Sequence, residues 1–414
     1  MSSVPLYPPP LPLVAASFSG GRGEFRRLVT RGALLELITV GFYRFWLATD
    51  IRRHLWSHTE VAGDAFEYTG RGKELLVGFL FALAILVPIY LAYFLVGIEA
   101  ERLKAFASIP LFVFFYLFGQ FAIYRARRYR LTRTVWRGVR FWMEGSGWAY
   151  AARAALWAVL MVLTLGLILP WREAALERYK MRHSHYGDLQ GRFEGTGWDF
   201  FKRGWWLWVL AVVPPVIAFI PLVVAVLPSL RHLNAALPLV RYASQIVGAL
   251  TLLIMVLAPF ILAAFKAVEW RWWLSGLRFG DVRFESTLTR GALIGLYWKV
   301  IGWLVLIMSV FGGYIFLCLV VAARAREMPL QQFIASGGQQ GNVLVMVLVG
   351  IGYLAFILLF NIVMRVYLMR DVWVKLVGST QIHGLATLAD VSVRGELASA
   401  VGEGLADGLD VVGF

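Results

Sequence analysis

The chain alternates long apolar runs with short basic and aromatic segments. Runs of roughly 18 or more apolar residues predict transmembrane helices, because about 20 residues at 1.5 Å each cross the hydrocarbon core. The pattern therefore predicts an all-α polytopic membrane protein with about eight hydrophobic helical elements. The clearest runs cover 75–98, 107–124, 149–171, 205–228, 240–266, 291–323 and 343–368, and a weaker one covers 26–47.

The segments between the runs follow a different period. The stretch TRTVWRGVRFWMEG (132–145) places β-branched and aromatic residues on both sides of Arg137-Gly138, which is typical of a β-hairpin. An isolated hairpin is marginal in water, so several should pair or stack. We expect short β-hairpin joints that form a small platform on the cytoplasmic face. The alternative is that these segments are irregular loops whose alternation is accidental.

The polar segments resemble one another. A shift of 46–72 by 75 positions, without a gap, superimposes identical residues, and a third copy shares a Phe-x-x-x-Gly spacing and a T-x-G-x-x-x-x-W motif at 39–46 and 164–171. This recurrence predicts an internal repeat whose joints depend on these positions. The predicted joint residues are Thr59, Gly63, Phe66 and Gly70, then Thr134, Gly138, Phe141 and Gly145, then Phe193 and Gly197.

The distribution of basic residues conflicts with a simple count of spans. The loops 125–143 and 172–203 are both rich in Arg and Lys, so both should lie in the cytoplasm. The apolar run 149–171 lies between them and is long enough to cross. Either 149–171 and the similar element 26–47 are re-entrant, or one basic loop lies outside. Re-entrant backbone must be buried in protein or line a wet cavity.

Composition agrees with a membrane protein. Hydrophobic residues make up 59% of the chain and charged residues only 16%, whereas a soluble domain has about 25% charged residues. The net charge of +15 is concentrated in short loops, so retention of these loops beside anionic headgroups explains it better than nucleic-acid binding does. The single cysteine, Cys318, excludes a disulfide within the chain.

Three regions are expected along the chain. Residues 1–17 are rich in proline and predict a flexible arm, and residues 18–389 form a single multipass membrane domain. Residues 390–414 are an acidic tail rich in Gly and Ala.

Arginine and aromatic residues at the helix ends are the candidate lipid contacts. Arginine can grip a phosphate with two hydrogen bonds, and Trp and Tyr rings favour the headgroup layer. The alternative is that these charges only determine topology. The predicted contacts are Arg52, Arg53, Arg125, Arg127, Arg128, Arg130, Arg133, Trp136, Arg137 and Arg140.

Signals of catalysis are weak. The sequence has no phosphate loop and no nucleophile motif, and its histidines lack the spacing of a zinc site, so we expect no enzyme activity, cofactor or metal. Ionisable and polar residues within apolar runs are the default functional candidates in a bilayer. The possible intramembrane polar residues are Glu36, Lys299 and Asn361.

The N-terminal motifs resemble the YjgN family of bacterial inner-membrane proteins. The stretch LLELITVGFYRFWLATDIRRHLWSHTEVAGDAFEYTGRGKELLVGF is similar to that family's L-T-x-G-x-Y-x-F-W stretch, its R-R helix end and its F-x-Y-T-G joint. His54 departs from the aromatic residue that is usual there. The resemblance implies a multipass inner-membrane protein without an established activity, cofactor or catalytic residue. Its matching positions are Phe18, Gly20, Thr39, Gly41, Tyr43, Phe45, Trp46, Arg52, Arg53, Phe66, Tyr68, Thr69 and Gly70.

Two functions are open at this stage. The first is a non-enzymatic scaffold or regulator of the bacterial inner membrane that contacts anionic lipid, a membrane partner or a second copy, with its basic loops and C-terminus in the cytoplasm. The second is a transporter or channel whose cavity is lined by 26–47 and 149–171, with Glu36 and Asn361 as polar contacts. No nucleic-acid partner is expected.

Overall fold

A computed structural model describes residues 13–99, 101–226, 243–335, 343–388, 391–395 and 397. Residues 1–12 of the predicted arm and most of the predicted tail lie outside the described residues. The chain divides into two compact units. The first unit comprises Met1–Ser19, Trp56–Ile294 and Lys375–Phe414, and the second comprises Gly20–Leu55 and Gly295–Val374.

The first unit contains a closed antiparallel β-barrel. Its strand order is β1-β10-β9-β8-β7-β6-β5-β4-β3-β2, so every strand has two hydrogen-bonded neighbours. Closure removes the free edges at which a sheet would otherwise pair with another chain. The strands are β1 Leu13–Phe18, β2 Thr59–Val61, β3 Asp64–Tyr68, β4 Thr134–Trp136, β5 Val139–Met143, β6 Ser184–Tyr186, β7 Leu189–Phe193, β8 Leu277–Phe279, β9 Val282–Ser286 and β10 Thr380–His383.

Five helical connections link pairs of neighbouring strands in this barrel, and the strands of all five pairs are aligned in the same way. At each one, the last residue of the outgoing strand pairs directly with the first residue of the returning strand. Because the strands are antiparallel, all five connections start and end at one rim, which we call the helical rim. The paired residues are Phe18 with Thr59, Tyr68 with Thr134, Met143 with Ser184, Phe193 with Leu277, and Ser286 with Thr380.

Tight turns connect the strands at the opposite rim. Each hairpin has a two-residue turn, as the pairing of Trp136 with Val139 shows for β4–β5. Arg137 and Gly138 both have positive φ, at 50° and 75°, which is the backbone of a type I′ turn. Nothing lies within 4 Å of a Cβ built at Gly138, so this position requires glycine for its conformation and not for space.

Aromatic side chains fill the barrel. The rings of Phe141 on β5 and Phe279 on β8 lie 6.2 Å apart, although two strands separate them in the sheet. Tyr186 contacts both Trp136 and Phe141, so these rings meet inside. Because successive side chains of a strand point to opposite faces, every second residue lies on this inner face, and most of these residues are apolar. The charged residues lie mainly on the outer face. Buried inner residues include Ala16, Val61, Tyr68, Val139, Met143, Phe193, Leu277, Val282 and Ile382.

The predicted all-α class is wrong, because ten strands close into a barrel. The predicted number of about eight apolar helical elements is also wrong, because six helices among the described residues are long and apolar enough to cross a membrane. The helices are α1 Arg22–Ile38, α2 Arg44–Ser57, α3 Gly72–Glu99, α4 Glu101–Thr132, α5 Gly147–Leu163, α6 Leu169–Arg182, α7 Gly197–Val226, α8 Ala243–Gly276, α9 Arg290–Arg324, α10 Leu330–Ala335, α11 Val343–Val363, a π-helix Met364–Arg370, α12 Asp371–Gly378 and a 3₁₀ turn Leu385–Leu388.

The runs 26–47 and 149–171 account for the two missing spans, since each is broken by a turn. Val40 and Gly41 have positive φ, as do Leu165 and Gly166, and such residues end helices. The Thr39 hydroxyl donates to Leu35 O at 2.7 Å and accepts from the Tyr43 N–H at 2.9 Å. Thr164 makes the same two hydrogen bonds, with Leu160 O and the Ile168 N–H. The T-x-G-x-x-x-x-W motif therefore encodes a helix end and a reversal.

The α5–α6 turn lies beside a membrane helix. The Trp208 indole N–H donates to Leu165 O at 3.1 Å, and Trp208 belongs to the candidate span Gly197–Ile217. Val162 and Leu163 at this turn are 76% and 74% exposed, which suits a lipid environment. The α5–α6 turn therefore lies beside α7, and the turn at 39–43 carries a similar exposed apolar tip. That these two elements re-enter the membrane remains a prediction.

The predicted joint residues lie at the helical rim or in the hairpins. Glycine is required at several of them by close packing, since a Cβ at Gly70 would lie 2.6 Å from the Tyr68 ring and one at Gly197 would lie 2.8 Å from Trp171. At Gly145 the clash with His183 is accompanied by a φ of +88°. Thr134 accepts a hydrogen bond from Trp56 at 3.0 Å. That these joints are copies of one another remains a prediction.

Candidate functional site: a polar groove and the arginines of the barrel

An ion pair joins α1 to the π-helix in the second unit. Arg365 Nη1 lies 3.0 Å from Glu36 Oε2, and both side chains are largely buried. Arg365 is held in the π-helix Met364–Arg370, and π-helical turns occur frequently at functional sites. Glu36 is conspicuous in the sequence but Arg365 is not, because Arg365 lies near the end of an apolar run, where a charge is ordinarily exposed.

A cationic cluster surrounds Tyr367, two residues after Arg365. The guanidinium of Arg22 lies 5.8 Å from the ring centroid and Lys299 Nζ lies 5.2 Å from it, which suits cation–π contacts. Trp303 stacks on the same ring at 5.3 Å. Arg22 also pairs with Asp371 at 2.6 Å. Lys299, predicted as an intramembrane polar residue, therefore packs on an aromatic ring.

A groove of about 460 Å³ lies between α1, its turn and α11. Two of the residues predicted from sequence, Glu36 and Asn361, line the same groove. Its other walls are apolar and include Val40, Leu354 and Leu358. The lining comes from the predicted element 26–47 and from α11, whereas the sequence-based transporter hypothesis had paired 26–47 with 149–171.

Several arginines predicted to contact lipid make bonds within the first unit. One Arg127 nitrogen lies 3.1 and 3.0 Å from the two carboxylate oxygens of Glu177. Arg133 Nε lies 3.0 Å from Glu74 Oε2. Lys180 also pairs with Glu177. These contacts engage at least part of each guanidinium, and they fasten α4 to α6 and to α3.

The remaining predicted arginines differ in exposure. Arg140 donates to Thr132 O at 2.5 Å, and burial, with the nearby charge of Arg133, lowers the pKa of Arg140 below its ordinary value. Arg137 is exposed at its hairpin turn, where it pairs with Asp64 at 2.5 Å and covers the Trp136 ring. Arg125, Arg128 and Arg130 are half-buried, Arg52 is buried, and Arg53 is exposed beside Asp50.

A row of three arginines crosses the outer face of β7, β8 and β9. Arg192 pairs directly with Arg278, and Arg278 pairs directly with Arg283; we call these three residues the arginine row. Directly opposed side chains lie about 5 Å apart, and like charges in such pairs are destabilising. Arg278 is restrained by Glu194 at 3.0 Å. Arg192 and Arg283 are exposed and have no ion-pair partner within the described residues.

Equivalent outer positions at the other four connections do not repeat this charge. The corresponding rows are Ser17, Glu60 and Ala65; Glu67, Val135 and Arg140; Trp142, His185 and Gln190; and Glu285, Gln381 and Ala15. The arginine row is therefore a property of one place on the barrel. The row is not evident in the sequence because it depends on the register between β7 and β8. The spacing R-F-G-D-V-R across a two-residue turn does indicate the pair Arg278 and Arg283.

A family model described as "Bacterial protein of unknown function (DUF898)" matches residues 14–330. The chain belongs to this family. The resemblance to the YjgN family is thereby confirmed, since DUF898 is the YjgN-type family. The DUF898 match runs from β1 into α10 and includes the arginine row. Neither a curated protein nor a solved structure matches the chain. Together with the six apolar helices, the DUF898 assignment fits a membrane protein.

Proposed function

We propose that this DUF898 protein is a non-enzymatic scaffold of the bacterial inner membrane that contacts anionic lipid headgroups through the arginine row. In this proposal the barrel lies on the cytoplasmic side and holds the ends of the membrane helices at fixed positions. The observation that carries it is the direct pairing of Arg192, Arg278 and Arg283, of which Arg192 and Arg283 are exposed.

The position of the row supports lipid as its partner. The candidate span Val247–Gly276 ends two residues before Arg278, so the row is close in the chain to a membrane helix. Basic side chains near an anionic surface each contribute about 1 kcal/mol to binding. Adjacent guanidiniums can bind a phosphate from two sides, which offsets their mutual repulsion.

The packed interior supports a structural role for the barrel itself. Inner aromatic rings contact one another between non-adjacent strands, so the barrel has the core of a folded domain. A scaffold requires such rigidity because helices that start at one rim must keep their spacing.

The test is native mass spectrometry of the protein released from vesicles containing equal parts phosphatidylglycerol and phosphatidylcholine. The variant Arg192→Gln with Arg283→Gln should retain several-fold less phosphatidylglycerol than the wild type. The control Arg178→Gln with Arg182→Gln removes the same charge from two exposed arginines of α6 and should retain the wild-type amount. Equal retention in all three proteins would rule out the arginine row as the lipid contact.

Transport is the second candidate function, favoured by the convergence of Glu36 and Asn361 in one groove. Intramembrane carboxylates often lie on ion pathways. Proton flux into proteoliposomes, followed with an entrapped pH dye, would be lost on Glu36→Gln if the groove conducts protons. Absence of flux in the wild type would remove proton transport from consideration.

A further inference from the structure

The groove of the second unit has one polar end and one apolar end. Glu36 and Asn361 line it together with Val40, Leu354, Ile357 and Leu358, and Arg365 lies 3.0 Å from Glu36. Its volume of about 460 Å³ is in the range of sites that bind small organic ligands. A groove with this division of polarity is complementary to an amphiphile.

The polar end lies where the uncharged part of the helical run ends. The residues of α11, Val343–Val363, are all uncharged, and at 1.5 Å per residue they extend about 30 Å, the thickness of a hydrocarbon core; the candidate span itself continues to Gly378. Asn361 lies near the C-terminal end of α11 and Arg365 lies just after it, whereas Leu354 lies about 10 Å further into α11. A bound amphiphile would therefore present its headgroup to Glu36 and Arg365 and its chain to the apolar walls.

We infer that the groove binds a phospholipid whose headgroup carries both a phosphate and a primary amine. Arg365 would bind the phosphate and Glu36 would bind the ammonium. This inference concerns the second unit and stands apart from the arginine row, which lies on the barrel.

The charge pair selects a headgroup with two charges. A headgroup with only a negative charge could bind Arg365 but would meet the Glu36 carboxylate without compensation. Leaving one member of a buried ion pair without its partner is strongly unfavourable. A zwitterion satisfies both groups at once, so it can enter between them without a net loss of charge pairing.

Hydrogen bonding favours a primary amine over a quaternary one. A primary ammonium has three N–H donors, which Glu36 and the amide oxygen of Asn361 can accept. The Asn361 amide nitrogen already donates to Ile357 O at 3.1 Å, so its amide oxygen is the group directed away from that bond. A trimethylammonium group has no donor, and the loss of such bonds in a site built for them costs affinity.

The experiment uses the full chain in vesicles with equal parts phosphatidylethanolamine, phosphatidylcholine and phosphatidylglycerol, and native mass spectrometry of the lipid that stays bound. Wild-type protein should retain phosphatidylethanolamine in about tenfold excess over phosphatidylcholine, which corresponds to about 1.4 kcal/mol. Leu358→Trp, which fills the apolar part, and Glu36→Gln with Arg365→Gln, which removes both charges, should abolish that preference. Glu67→Gln changes an exposed carboxylate on the barrel and should leave it intact.

Two further outcomes decide the inference. Replacing both charges keeps the pair balanced, so the double variant should unfold at the wild-type temperature, and a preference that persists in this folded variant overturns the assignment. Glycerophosphoethanolamine, which has the headgroup without chains, should fail to displace the lipid. Displacement by this soluble compound would contradict a site for a membrane lipid. Because these measurements involve phosphatidylethanolamine and the arginine-row test involves phosphatidylglycerol, either proposal can fail alone.

Discussion

Arg127 and Glu177 form a buried ion pair that joins α4 to α6, with one Arg127 nitrogen 3.1 and 3.0 Å from the two carboxylate oxygens. Glu177→Gln would leave Arg127 and Lys180 without their shared carboxylate. Removing one partner of a buried pair costs about 3–5 kcal/mol, so the variant should unfold at a clearly lower temperature in detergent. Glu67→Gln, an exposed carboxylate on the barrel, should change stability by less than about 0.5 kcal/mol. Equal melting of both variants would contradict the structural importance of the pair.

The same carboxylate gives stability a dependence on acid. Burial alone would raise the pKa of Glu177, but Arg127 and Lys180 outweigh it and lower the pKa to about 2. A lowered folded-state pKa stabilises the protein above the unfolded value of about 4.3 and loses that contribution as pH falls toward 2. Thermal unfolding between pH 6 and 2 should therefore show a steeper loss below about pH 4 in the wild type than in Glu177→Gln. Parallel curves would contradict this assignment.

Trp136 is an inner residue of the barrel and is 3% exposed. Its ring contacts Phe66 and Tyr186, so Trp136→Ala would open a cavity and should cost about 3–5 kcal/mol. Glu67→Ala changes the outer face of the neighbouring strand and should have little effect. Limited proteolysis of the hairpins, measured as a cleavage rate, should increase for Trp136→Ala alone. An unchanged rate would indicate that the interior is not a packed core.

Gly138 and Gly119 provide a matched test of backbone conformation, since nothing lies within 4 Å of a Cβ built at either position. Gly138 has a φ of +75°, where an alanine costs roughly 1–2 kcal/mol. Gly119 lies within α4 without a positive φ, so alanine there should be neutral or stabilising by up to about 1 kcal/mol. Chemical denaturation in mild detergent measures the free energy of unfolding of both alanine variants. A loss of stability in Gly119→Ala as large as that in Gly138→Ala would mean that the turn conformation is not the cause of the loss.

Hairpin turns at one rim should be accessible from one side of the membrane. Single cysteines at Arg137, Asp188 and Asp281, in a Cys318→Ser background, should all react with an impermeant thiol reagent from the same side. The reason is that antiparallel strands place these three turns at the same end of the barrel. Labelling of Arg137→Cys and Asp188→Cys from opposite sides would mean that 149–171 crosses the membrane and that the barrel does not form.

Local features of the fold could be predicted from sequence because they depend on neighbouring residues. The alternation around Arg137-Gly138 indicates a hairpin, and Thr39 with Gly41 indicates a special turn. Closure of the strands into a barrel could not be predicted, because it depends on pairs such as Phe193 with Leu277. The two residues of this pair are separated in the chain by two candidate membrane helices. The same limit applied to the span count, since the apolar run 149–171 is long enough to cross and is interrupted only at the left-handed residues 165–166, while the weaker run 26–47 is interrupted in the same way at 40–41.

The candidate groove was predictable only in part. Glu36 and Asn361 are conspicuous as polar residues in apolar runs, whereas their proximity depends on how α11 packs on α1. Arg365 was not conspicuous because it lies near the end of the run 343–368, and no residue pattern distinguishes the π-helix that holds it from an α-helix. The arginine row depends in the same way on strand register, which hydrophobic periodicity does not determine at an outer face.

The pairing of β1 with β10 joins the two ends of the described chain, with Val14 opposite Ile382. During synthesis, every membrane helix must therefore leave the ribosome before the ring can be completed. Until then the nascent sheet keeps two open edges beside the membrane, and open edges are templates for pairing with another chain. A chain that stops after α12 would contain all six candidate spans and would still be the form most inclined to join a second unfinished copy.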